Sequence, residues 1–160
     1  MRTANRIDMA GELDRIVALA ADIERWPVIL PHYRWVTLLD GDGDRTTAEM
    51  AARRGRVPVK WRAVQVIDRT GLTPVIRFQH IGGVTKGMDV AWSFRSHDRG
   101  VAVTIDHEFH PPWPVVGEFV ADRVIGPHFV EAIARKTLAT IKGIVEDRDE
   151  RFDPDGRPRR

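Results

Sequence analysis

No cysteine occurs among the 160 residues, and serine and tyrosine are scarce: Tyr33, Ser93 and Ser96 are the only ones. The missing thiols exclude disulfides, thiolate metal sites and a cysteine nucleophile. Neither serine sits in a strand-to-helix elbow, so a Ser-His-Asp triad has no anchor. No run approaches the roughly 18–20 apolar residues of a membrane span, and Met1 to Arg6 lacks the apolar core of a signal peptide. A cytoplasmic protein is the expectation. Charge of one sign is lacking too, since 25 Lys and Arg stand against 23 Asp and Glu. The basic residues cluster only at Arg53, Arg54 and Arg56 and at Arg157, Arg159 and Arg160, without the dense basic face of a nucleic-acid binder. No glycine-rich nucleotide loop follows a strand, so no cofactor is implied. Asp40-Gly41-Asp42-Gly43-Asp44 imitates a calcium loop, but Arg45 and Ala51 occupy its sixth and twelfth positions. A hairpin turn is expected there instead.

What is present reads as one domain over residues 1–146, with a charged tail over 147–160 expected to be disordered. Asn5–Ala10 is expected to be a first strand. Leu13, Ile16, Val17, Ala20 and Ile23 recur at helical spacing. Pro27 suits the first turn of a second helix, and Pro31 limits that helix to about one turn. Strands are expected over Tyr33–Asp40, Thr46–Arg54, Val57–Asp68, Thr73–Ile81, Lys86–His97 and Val101–His110, joined by short polar turns. This spacing predicts an antiparallel meander. Pro111 to Pro114 ends the sheet, and a helix is expected over Val115–Ile125. A longer helix to about Val145 follows, with Phe129, Ile133, Thr137, Ile141, Ile144 and Val145 on one stripe. A sheet followed by one long apolar-faced helix suggests a sheet wrapped around that helix, with a cavity between them.

Side chains alternate across a strand, so each strand divides into two faces. The apolar faces read Val57, Val59, Trp61, Ala63, Gln65 and Ile67; then Ile76, Phe78 and His80; then Met88, Val90, Trp92 and Phe94; then Val101, Val103, Ile105, His107 and Phe109. Three of these faces carry one polar residue each: Gln65, His80 and His107. Each of the three is open to two readings, a core side chain with its hydrogen bonds satisfied or a group that orients a ligand in an apolar pocket. His107 and His110 are three apart and so fall on opposite faces, and no metal site is expected.

The pieces Val17–Pro27, Tyr33–Asp40, Trp61–Asp68, Asp89-Val90-Ala91-Trp92 and the last helix resemble the START-like, helix-grip superfamily called SRPBCC. Within it, the chain resembles the polyketide cyclase/dehydrase group, which includes aromatase/cyclases and ubiquinone-binding lipid chaperones. The resemblance covers roughly residues 5–146. It implies an α+β fold in which a seven-stranded antiparallel sheet wraps around a long C-terminal helix, with two short helices between strands 1 and 2. It also implies an interior cavity for lipids, quinones or polyketides. The aromatase/cyclases use an inward tyrosine after the Trp-Pro segment and inward arginines on central strands. Tyr33 keeps the tyrosine, the arginine positions fall on Gln65 and His80, and Arg77 matches an arginine that faces outward. Gln65 cannot stabilise a developing enolate with a full charge.

Two functions therefore remain open. As a cyclase, aromatase or dehydratase, the protein would use His80 or His107 to move a proton and Tyr33 to donate to the forming alkoxide. As a carrier, it would only hold a lipid or quinone. Either way Trp61, Gln65, Phe78, Met88, Trp92, Phe109, Phe129 and Ile133 are the expected ligand contacts. Pro112 to Phe119 reads either as a cover over the end of the sheet or as an apolar patch at the cavity mouth, facing a membrane or an acyl carrier protein. The sequence does not distinguish a monomer from a homodimer.

Overall fold

The computed structural model describes residues 1–110 and 127–151. Strand β1 spans Arg2–Met9, helix α1 Leu13–Ala21, a 3-10 turn Ile23–Arg25 and helix α2 Trp26–Ile29. Six strands follow: β2 (Tyr33–Asp42), β3 (Arg45–Arg54), β4 (Val57–Asp68), β5 (Val75–Gly83), β6 (Met88–His97) and β7 (Gly100–Phe109). Helix α3 runs from Pro127 to Arg151. The sheet order is β1-β7-β6-β5-β4-β3-β2, and every pairing is antiparallel. This is the helix-grip architecture: a seven-stranded sheet, short helices after strand 1 and a long C-terminal helix.

Local chemistry explains most boundaries. Ile16, Val17 and Ala20 form the buried stripe of α1, and Pro27 stands in the first turn of α2, where its missing N–H costs nothing. The β2–β3 hairpin turns on Gly43, whose φ of 56° suits a residue without a Cβ. The turn is tighter than expected, because β2 continues through Gly41 and Asp42. Gly83, at φ 82°, closes β5 against β4, where a Cβ would come within 2.4 Å of the Lys60 carbonyl oxygen. β1 begins earlier than expected and pairs with β7 from Arg2 onward.

The interior faces follow the predicted alternation at most positions. Val57 is exposed at the start of β4, and Val64 is buried on its other face. Along α3 the buried residues are Phe129, Val130, Ala134, Thr137, Leu138, Ile141 and Val145. Ile144 is turned further outward than expected. α3 packs on β1, β3, β7 and α1, and Arg15 ties its C-terminal part to α1 by donating to the carbonyls of Ile144 and Val145 at 3.0 and 3.1 Å. The helix continues to Arg151, into the segment expected to be an irregular tail. The helix expected over 115–125, the Trp113–Phe119 patch and the end of the tail lie outside the described residues. Among the described residues, no helix is long and apolar enough to cross a membrane.

Candidate functional site

The site lies where one end of the sheet faces α2 and the N-terminal half of α3. A cavity of about 70 Å³ opens there. Met50, Val59, Trp61, Phe78, Met88 and Val90 form its sheet wall. Trp26 reaches it from α2, and Phe129, Val130 and Ile133 reach it from α3. The polar groups on its lining are Tyr33, His80, Thr85 and His107. Sites for drug-sized ligands occupy about 300–1,000 Å³, so a polycyclic ligand enters this one only if side chains move. Met50 and Met88 are flexible fillers suited to that.

Tyr33 owes its position to the end of α2. Pro31 stops the helix, and the Tyr33 N–H donates to the Leu30 carbonyl at 3.0 Å as the chain turns into β2. Its ring meets Trp26 edge-on, with centroids 4.9 Å apart. Its hydroxyl bonds to Thr137, the buried hydroxyl on the apolar stripe of α3. His32 Nε2 meets the same Thr137 Oγ1 at 2.7 Å. A buried chain His32–Thr137–Tyr33 thus ends at the cavity. Burial pushes Tyr33 ionisation well above the ordinary value, and the Thr137 bond partly opposes this. The tyrosine is therefore a neutral hydroxyl near pH 7. His32 is not among the residues expected from sequence. A single hydroxyl on a buried helical stripe signals that some polar partner exists, but it does not say which.

His80 is positioned by the β5–β6 turn. The Gly87 N–H donates to the His80 carbonyl at 3.0 Å, which folds Thr85 back until its Oγ1 lies 2.6 Å from His80 Nδ1. The His80 ring stacks on Trp61, with centroids 5.7 Å apart and planes 6° from parallel. Burial, then the nearby His107, lowers the His80 pKa to about 3. Burial alone lowers His107 to about 4. Burial and then Lys136 lower His32 to about 4. All three imidazoles are neutral at pH 7, so they act as hydrogen-bonding groups and only weak bases.

The site expected from sequence is partly regrouped. Tyr33, His80, His107, Trp61, Phe78, Met88, Phe129 and Ile133 meet around the cavity. Gln65, Trp92 and Phe109 are buried but do not line it. Gln65 faces inward as expected, yet its Nε2 donates to the Ala21 carbonyl at 2.9 Å, which closes the last turn of α1. That bond gives it a structural duty. Trp92 stands behind the lining, against Trp26 at 5.9 Å. Trp26 itself lines the cavity, so the Trp-Pro segment contributes more than a helix start. Arg77 is exposed on the outer face, as its alternation predicts. His110 is exposed on the face opposite His107, 3.2 Å from Glu108.

Four buried polar atoms have no hydrogen-bond partner among the described residues: Thr3 Oγ1, Asn5 Nδ2, His32 Nδ1 and His107 Nδ1. Such an atom costs about 1–3 kcal/mol if nothing meets it.

Comparison with known proteins supports the same architecture. Residues 11–127 match the family model described as polyketide cyclase / dehydrase and lipid transport. A Streptomyces halstedii protein provisionally named a polyketide cyclase is 30% identical over 103 residues, which cover 62% of this chain and 92% of that one. A protein of Thermus thermophilus superposes with a TM-score of 0.77 at 17% identity, covering 93% of this chain and 99% of its own. The Zhui aromatase/cyclase from Streptomyces sp. R1128 superposes with a TM-score of 0.73 at 16% identity, covering 98% of both chains. At these identities the two structures bear on the fold alone.

Proposed function

From the premise that the chain belongs to the polyketide cyclase / dehydrase and lipid transport family, we propose that it binds a polyketide-like or aromatic small molecule in the cavity. The observation that carries this reading is the make-up of the lining: an apolar, tryptophan-rich wall into which Tyr33, His80, Thr85 and His107 converge. A carrier for a lipid tail needs no such convergence. A ligand with ring carbonyls or hydroxyls does, because each polar atom it buries must find a partner.

The same residues support catalysis of cyclisation or dehydration. A neutral imidazole, His107 or His80, takes a proton from a methylene flanked by two carbonyls. The carbanion formed attacks a third carbonyl carbon, making the ring C–C bond and leaving an alkoxide. Tyr33, a neutral hydroxyl held by Thr137, donates to that oxygen, and the imidazolium returns the proton. The low basicity of both histidines limits the rate of the first step, so binding is the primary role and catalysis depends on it.

Native mass spectrometry of the purified protein tests the reading. A co-purified aromatic or polyketide-like compound is the expected result. A phospholipid or isoprenoid quinone in its place would move the protein to the carrier class. Changing His80 and His107 to Ala then separates the roles: loss of turnover with retained binding supports catalysis, and retention of both makes these residues packing groups.

A further inference from the structure

Beside the cavity, on the inner face that β1 and β7 share, the interior is polar without being paired. His107 lines the cavity, and Thr3 is its direct partner in the β1–β7 register. Directly opposed side chains in an antiparallel pair have β-carbons about 4.5–5.5 Å apart. Asn5 is the next residue on the same face of β1, opposite Ile105. Thr3, Asn5 and His107 are 8%, 7% and 8% exposed, yet Thr3 Oγ1, Asn5 Nδ2 and His107 Nδ1 meet no partner among the described residues. α3 packs over β1 and does not supply one. Its buried residues are apolar except Thr137, whose hydroxyl is engaged by His32 and Tyr33. Further along β1, Met9 restores an apolar interior. Of these three, His107 is on the cavity lining, while Thr3 and Asn5 lie behind it on β1 and meet a ligand once side chains move to admit one.

We propose that Thr3, Asn5 and His107 form a carbonyl-binding subsite, which takes a ketone oxygen of the ligand. This rests on the cavity-binding reading above. The chemistry of the unpaired atoms selects the ligand group. An amide Nδ2 only donates, so its missing partner is an acceptor. A ketone oxygen has two lone pairs and no proton, so it accepts from Asn5 and from a second donor, the Thr3 hydroxyl or the His107 Nδ1–H. A phospholipid tail would leave all three unmet. None of the three carries charge at neutral pH, so a carboxylate or phosphate would be desolvated there without a counter-charge.

The test uses two probes of nearly equal shape, acetophenone and isopropylbenzene, in which a methyl group replaces the carbonyl oxygen. Affinities for the full-length protein are read by titration in 1H–15N NMR spectra. The ratio of the two affinities in a variant, relative to wild type, cancels the difference in hydration between the probes. Asn5→Leu is expected to reduce the preference for the ketone about tenfold and Thr3→Val several-fold, the effect of one lost hydrogen bond each. Both changes replace an unpaired polar group by an apolar one of similar size. The unliganded variants should therefore melt about 2–4 °C higher. A ratio unchanged from wild type while both probes bind would overturn the subsite. So would lower melting temperatures in both variants, which would show that fixed water already satisfies these atoms. If neither probe binds the wild-type protein, the cavity reading fails, and the subsite with it.

Discussion

Strand β7 does two different jobs along its length. Its first half, Val101, Val103 and Ile105, lies against the far part of the interior, where Met9, Ile16, Ile141 and Val145 are almost wholly excluded from solvent. Its second half holds His107 beside a cavity and ends at Phe109. The same backbone pairing carries both halves, so the contrast comes from side chains alone. At the far end the buried groups are aliphatic, and polarity begins only at Asn5, opposite Ile105. At the near end, aromatic rings and neutral polar groups leave a gap, and several polar atoms have no partner. Stability and binding are thus separated along the strands, and each end can be disturbed with limited effect on the other.

The strongest way to break that separation is acid. His80 and His107 are buried with pKa values near 3 and 4, against 6.5 when exposed. Their folded forms bind fewer protons than the unfolded chain between those limits, so protonation favours unfolding. Stability is fully present above about pH 6.5 and falls as the pH drops toward 4. The expected loss between pH 7.5 and 4.5 is on the order of 5 kcal/mol for the two together. Urea unfolding at both pH values measures it, and His107→Leu should flatten the dependence. A flat wild-type profile would mean that these rings reach water.

Removing bulk from the packed end comes next. Ile141→Ala is expected to cost about 2–5 kcal/mol in denaturant unfolding, with no specific change at the cavity. A cost under about 1 kcal/mol would show that the far end is as loosely packed as the near one. Gln65 sits between the two regions and sharpens their border. Gln65→Leu leaves the Ala21 carbonyl unmet and should cost about 1–3 kcal/mol of stability, while ligand affinity stays within about twofold at equal folded concentration. A large affinity loss with unchanged stability would restore Gln65 to the ligand.

The smallest effect concerns the one tyrosine. With Tyr33 the only phenol in the chain, ultraviolet absorbance follows its ionisation without overlap from another tyrosine. It should remain un-ionised well past its ordinary value near 10, because burial disfavours the phenolate. Thr137→Val removes the bond that opposes burial, so ionisation should move higher still. Titration near pH 10 in the folded protein would place the hydroxyl in water.

Much of the fold was legible because strand alternation is local. His80 and His107 could be placed inside by counting in twos, and α1 by its spaced apolar residues. The turn at Gly43-Asp44 and the stop at Pro31 carry their geometry in residue type. The site was less legible, for a reason visible in Gln65 and His32. Gln65 has its partner 44 residues away in α1, and His32 has its partner 105 residues away in α3. Nothing in either neighbourhood names those partners. Periodicity says that a side chain is buried, and only the packed structure says which group it meets.

By itself, then, the sequence determined the element order, the inward faces and the family. Backbone propensity, side-chain alternation and turn chemistry act over a few residues, and a chain of 160 residues contains them all. Tertiary structure decided which inward polar groups stand at a cavity, which are consumed by hydrogen bonds and which remain unpaired. Those outcomes depend on side chains brought together by folding from β1, β2, β7 and α3. Their desolvation and their unmet hydrogen bonds exist only once water has been removed from among them.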